Sequence, residues 1–95
     1  MVIEIIRYTL DDGQERAFEE AYRQAGKHLD ESPHCLNHQT TRCVEEPHRY
    51  IVRIEWDSMD GHLKGFRQSP AFREFFALVR PFFNSIEEMQ HYDVV

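Results

Sequence analysis

The opening stretch MVIEIIRYTL limits this chain more than any other. Read as a strand over Val2–Leu10, it places Ile3 and Ile5 on one face and Val2, Ile6, Tyr8 and Leu10 on the other, since successive strand side chains point to opposite sides. A strand apolar on both faces has to be covered on both. The rest of the chain has to supply that cover, or a second copy must.

The next segment reads as a helix. Asp12 and Glu15 are spaced as a capping box, and Phe18, Ala21, Tyr22, Ala25 and Leu29 form an apolar stripe at helical spacing. Pro33 breaks it. Residues 34–44 read as a second strand, closed by an EEPH turn. The alternation over His48–Asp57 is the clearest in the chain: His48, Tyr50, Val52, Ile54 and Trp56 share one face, with Arg49, Ile51, Arg53 and Glu55 on the other.

Asp57 or Ser58 then caps a short helix bearing Met59, Leu63 and Phe66. Ser69 caps a longer one, with Pro70 at its first position and Phe72, Phe75, Phe76 and Val79 on its apolar side. Pro81 is expected to kink or end it, Phe82, Phe83 and Ile86 continue the apolar side, and MQHYDVV forms a last short strand.

This order of elements predicts an α+β fold, a ferredoxin-like βαββαβ antiparallel sheet with its helices on one face, as a single domain over residues 1–95. The other face of the first strand is expected to meet the sheet of a second subunit, giving a homodimer.

A net charge of −6 argues against nucleic acid, whose phosphates call for clustered Lys and Arg. No apolar run approaches the ~18 residues of a membrane span, and the first residues lack the basic and apolar regions of a signal peptide. A cytoplasmic location is the expectation. Cys35 and Cys43, on one strand and one face, would stand about 26 Å apart at ~3.3 Å per residue. That is beyond the ~7 Å reach of a disulfide, so both are expected as buried, reduced thiols. His38 falls on the opposite face, which makes C-x-x-H a poor metal motif. His34 and His48 flank turns and are expected in solvent.

With these elements in place, the run W-D-S-x-x-x-H-x-x-x-F-R-x-S-P-x-F-x-x-F from Trp56 to Phe75 resembles the antibiotic biosynthesis monooxygenase family. Gly13 after the first strand, SPHCL entering the second, Trp56 ending the third, S-P-x-F at 69–72 and the terminal HYDVV carry the same resemblance. It implies a dimeric α+β barrel with a pocket between helices and sheet in each subunit. Members include cofactor-free monooxygenases of polyphenols or quinols and haem-degrading enzymes, and similar domains occur joined to truncated globins.

The resemblance also points to residues. Trp56 matches a tryptophan of both groups and is either a stacking platform for an aromatic ligand or simply core. His62 stands where quinone-forming members carry a tyrosine. It is either a base for a phenolic proton or a solvated helix histidine. Val52 replaces an asparagine of that group. Ile6 and Phe76 stand where haem-degrading members have an asparagine and an axial histidine, which argues against that arrangement here.

Tyr22 and Tyr50 line a pocket or pack the core, and the phenylalanines at 75, 76, 82 and 83 do the same. Arg67 and Arg73 are steering groups for an anion or solvated helix residues. With no P-loop, dinucleotide fingerprint, nucleophile elbow or zinc motif in the chain, neither a cofactor nor a metal is implied. The resulting expectation is an oxidoreductase that brings O₂ to a small phenol or quinol, with His62 and Trp56 as catalytic residues and Tyr22, Tyr50, Val52, Phe76 and Ile6 around the substrate. The alternative is a noncatalytic dimeric binding or accessory module. An isomerase or lyase, which a lone histidine base would also serve, is a third reading.

Overall fold

The computed structural model describes residues 1–95. Four strands, β1 (Val2–Thr9), β2 (Cys35–Arg42), β3 (Arg49–Trp56) and β4 (Ile86–Tyr92), form one sheet in the order β2-β3-β1-β4, every pair antiparallel. Helices α1 (Glu15–Asp30) and α2 (Pro70–Val79) pack against each other beside the sheet. This is the expected α+β, ferredoxin-like arrangement. None of its helices is long and apolar enough to cross a membrane.

β1 is central, paired with β3 on one side and β4 on the other. Its inward face gives Ile6 and Tyr8, and the residue after it Leu10, to a core of fifteen buried apolar residues; β3 adds Tyr50, Val52, Ile54 and Trp56. Phe18 of α1 is fully buried at the middle of this core, its ring centroid 4.7 Å from those of Tyr8 and Tyr50 and 5.3 Å from that of Phe82. Ile3, Ile5 and Ile51, on the outer face, are only half-buried.

Local signals held where side-chain and backbone chemistry coincide. Ser69 Oγ accepts from the Phe72 amide and Pro70 occupies the first turn of α2, as expected. Pro81 falls just past the end of α2, in a 3-10 turn (Arg80–Ser85) that leads into β4. β4 starts at Ile86, three residues earlier than the terminal motif suggested.

Two expectations need correction, the Asp12 cap and the faces of the second strand, while the short helix after β3 forms as expected with a wider turn. The Asp12–Glu15 box does not form. Gly13 adopts φ +85°, a left-handed turn that places Gln14 at the N-cap, where the Gln14 side chain accepts from the Asp11 amide. The short helix after β3 is π-helical over Gly61–Phe66, capped by Ser58, whose Oγ accepts from the Gly61 amide at 2.9 Å. Finally, a bulge between Cys35 and Asn37 shifts the register of β2. Cys35 and His38 therefore share the inward face, opposite Trp56 and Ile54, while Cys43 pairs with Arg49 on the outer side.

Both thiols are free and half-buried. His38 Nε2 bonds Asp30 at 2.7 Å, and His34, half-exposed, bonds Asp57 at 2.9 Å. Because Phe18 touches aromatic rings from three other elements, Phe18→Ala should lower the unfolding free energy by about 3–5 kcal/mol, read from the urea midpoint at unchanged m-value.

Candidate functional site

The end of β3 is where sheet, π-helical turn and α2 converge. Trp56, the last residue of β3, is fully buried. The π-helical turn brings His62 over it, and the imidazole stacks on the indole with centroids 4.3 Å apart and planes 8° from parallel. The wide turn also brings Phe66 against the indole, at 5.1 Å. α2 adds Phe72, Phe75 and Phe76, and the segment after it adds Phe83 and Ile86.

Together these side chains wall a cavity of about 180 Å³ whose lining is mostly hydrophobic. Its polar groups are few. Glu4, His62 and Arg67 line it, as do Tyr8 and Tyr22, whose hydroxyls bond each other at 2.5 Å. Of the residues singled out in the sequence, Trp56, His62, Tyr22, Ile6 and Phe76 border this cavity and Tyr50 and Val52 do not. Tyr50 is tied by its hydroxyl to Glu19 of α1, and Val52 is sealed in the core. Arg67 borders the cavity, whereas Arg73 is exposed.

Two residues that sequence reasoning passed over complete the polar end. Glu4 lies on the inward face of β1, only 2% exposed. Trp56 Nε1 donates to its Oε1 at 3.1 Å, and His62 Nε2 stands 3.6 Å from the same oxygen. Across the sheet, His91 of β4 lies directly opposite Glu4, and its Nε2 is 2.7 Å from His62 Nδ1. An acid on an otherwise apolar strand face was a legible signal for Glu4. Nothing local marks His91, which gains its place from strand pairing.

Burial and a neighbouring cation set the charges here. Desolvation raises the Glu4 carboxyl above the usual range, against the Trp56 hydrogen bond and the Arg67 charge, which lower it. Burial, with help from Arg67 and His91, depresses His62 to about 3, so its ring is neutral at neutral pH. Burial and Arg67 lower His91 as well. Burial pushes Tyr8 up to about 12 and Tyr22 well above its ordinary value, so both are hydroxyl donors and not phenolates. One donor atom each from Glu4, His62 and His91 fall within 4.8 Å of one another, a set with the chemistry to hold a divalent metal. In the arrangement seen, His62 Nδ1 is committed to His91.

Comparison with known proteins agrees with this architecture. The family described as antibiotic biosynthesis monooxygenase matches residues 1–78, and the chain belongs to that family. It is 32% identical over its whole length to the uncharacterized protein YczJ of Bacillus subtilis (strain 168), which it covers completely. A Bordetella bronchiseptica protein classed with the antibiotic biosynthesis monooxygenases superposes with TM-score 0.81 at 28% identity, over 99% of this chain and 96% of that one. SnoaB, a cofactor-independent oxygenase from Streptomyces nogalater, shares the fold with TM-score 0.78 at 17% identity, over 99% and 92% of the two chains.

A buried neutral histidine leaves a mark on stability. The His62 pKa drops from 6.5 to about 3 on folding, so between these values the unfolded chain binds more protons and stability falls as pH falls. His91 acts in the same direction. Thermal unfolding followed from pH 7 to pH 4 should show a smaller loss of Tm for His62→Phe than for the unaltered chain.

Proposed function

We propose that this chain is a cofactor-independent monooxygenase that brings O₂ to a small phenolic or quinol-type aromatic in the cavity between helices and sheet, working as a cytoplasmic homodimer. The observation that carries the reading is the cavity itself: aromatic walls with Glu4 and His62 set beside Trp56. Its 180 Å³ suit a single substituted ring, since about 150 Å³ accommodates benzene in another protein's engineered cavity. Family membership and the likeness of fold to SnoaB support the reaction class.

The chemistry asks little of the protein beyond orientation, dryness and a proton acceptor. Loss of the phenolic proton makes the ring electron-rich enough to pass one electron to O₂. The resulting radical pair closes to a ring peroxide, which takes up a proton and then loses water to give the quinone. One phenol and one O₂ thus yield one quinone and one water. Stacking against the Trp56–His62 wall and Phe66 would hold the ring, and the Arg67 guanidinium would favour the phenolate. Val52 lies off the cavity, so its lack of a polar group takes nothing from this site.

The rival reading is a noncatalytic binding or accessory module using the same cavity. The feature that favours it is the weak basicity of His62. Oxygen uptake with hydroquinones and polyphenols, measured against each compound's autoxidation, separates the two. The expected result is saturable uptake that falls about tenfold or more in His62→Ala and is weakened in Trp56→Phe. Uptake at the autoxidation rate across the panel, with ligand binding intact, would establish the module.

Dimerisation through the outer sheet face would cover Ile3, Ile5 and Ile51, which the subunit alone leaves half-buried. Ile5→Arg should move the chain from dimer to monomer in sedimentation velocity.

A further inference from the structure

Glu4, His62 and His91 come from β1, the π-helical turn and β4, and no sequence motif joins them. Glu4 Oε1 is the convergence point, with the Trp56 N–H at 3.1 Å and His62 Nε2 at 3.6 Å. Its other oxygen, Oε2, has no hydrogen-bond partner, yet no fully enclosed side-chain oxygen or nitrogen lacks one. Oε2 is therefore not wholly enclosed, and Glu4 is a cavity-lining residue, so what little surface it keeps is available at the cavity wall. No Lys or Arg lies within ion-pair distance of this carboxylate, although Arg67 shares the cavity wall.

The hydrogen bond between the two histidines narrows the tautomers. In a pair of neutral imidazoles one ring donates and the other accepts. If His91 donates from Nε2, His62 accepts at Nδ1 and carries its own proton on Nε2, directed to the Glu4 side. The opposite choice turns a lone pair of His62 Nε2 toward a carboxylate oxygen, which is repulsive. Only the first arrangement delivers positive dipole ends from both His62 and Trp56 to Glu4 Oε1.

We propose that Glu4, and not His62, is the proton acceptor of the oxygenation, with His62 and His91 as positioning residues that hold the carboxylate so that Oε2 faces the substrate. The inference rests on the phenol-oxygenating reading above. Burial makes this carboxylate more basic than an ordinary one, while the same burial makes His62 a weak base.

In the step itself, the phenolic proton passes to Glu4 Oε2 and the O–H electron pair stays on the phenolate. One electron then moves to O₂, the radicals join in a C–O bond, and Glu4 returns the proton to the distal peroxide oxygen. Glu4 next removes the proton from the oxygenated ring carbon. The O–O bond breaks, the departing hydroxide takes up that proton as water, and Glu4 is again a carboxylate.

Two measurements on the full chain test this. Oxygen uptake with hydroquinones should fall by about 10²-fold or more in kcat for Glu4→Gln, with KM within about threefold of the unaltered value. Glu4→Asp, which keeps the acid but withdraws it, should retain partial activity. His91→Phe should lower kcat about tenfold, with Tm little changed. Independently of activity, ¹⁵N NMR should find His62 protonated on Nε2 and accepting at Nδ1, a state that His91→Phe abolishes.

A Glu4→Gln protein with kcat within about threefold of the unaltered chain overturns the assignment. So does a His62 found protonated on Nδ1, whatever the activity. Micromolar binding of Zn²⁺ or Fe²⁺ that Glu4→Gln removes overturns it too, because the three side chains would then be ligands. Uptake at the autoxidation rate in the unaltered chain overturns the phenol reading, and the role of Glu4 with it, even where the tautomer is as expected.

Discussion

A carboxylate with almost no solvent contact sits on the inward face of the central strand, and its desolvation sets the terms for every group around it. Glu4 takes the Trp56 indole N–H and stands beside His62, which in turn bonds His91. Each of those contacts needs a different part of the fold: β3 paired beside β1 for Trp56, the π-helical turn for His62, β4 on the other side for His91. Removing water raises the carboxyl and depresses the imidazole, so the two groups exchange the relative basicities they would have in solution.

The aromatic stack does a second job. A tryptophan closing an apolar strand face is ordinary core, and Trp56 is fully buried. Its face is nevertheless given to His62 and its edge N–H to Glu4, so the same ring both fills the core and fixes two polar side chains at the cavity. The choice posed by the sequence, platform or core, is therefore not a choice between exclusive roles. His62 likewise is neither a solvated helix residue nor a free base, because its ring is covered by Trp56 and tied by His91.

Legibility followed the range of the interactions. The alternation of β1 and β3 has a period of two and runs unbroken along each strand, so their faces were readable directly. Ser69 and Pro70 act within one turn and marked the start of α2. The bulge at Cys35–Asn37 inverted the faces assigned to His38 and Cys43, since one extra residue reverses all alternation beyond it. The Asp12 cap failed because Gly13 turns left-handed and moves the helix start to Gln14. Tyr50 and Val52 share a strand face with Trp56, but the cavity opens only where α2 and the π-helical turn stand over the sheet.

Period and capping are local properties written in neighbouring residues, and they were enough to fix the sheet, its helices and the aromatic stock of the core. The sequence also placed Trp56 and His62 six residues apart, within reach of one turn. The chemistry at that turn depends instead on long-range packing. Glu4 and His91 lie 87 positions apart and meet because β1 and β4 pair in antiparallel register. Their electrostatic character comes from the water that packing excludes, a quantity that no residue carries alone.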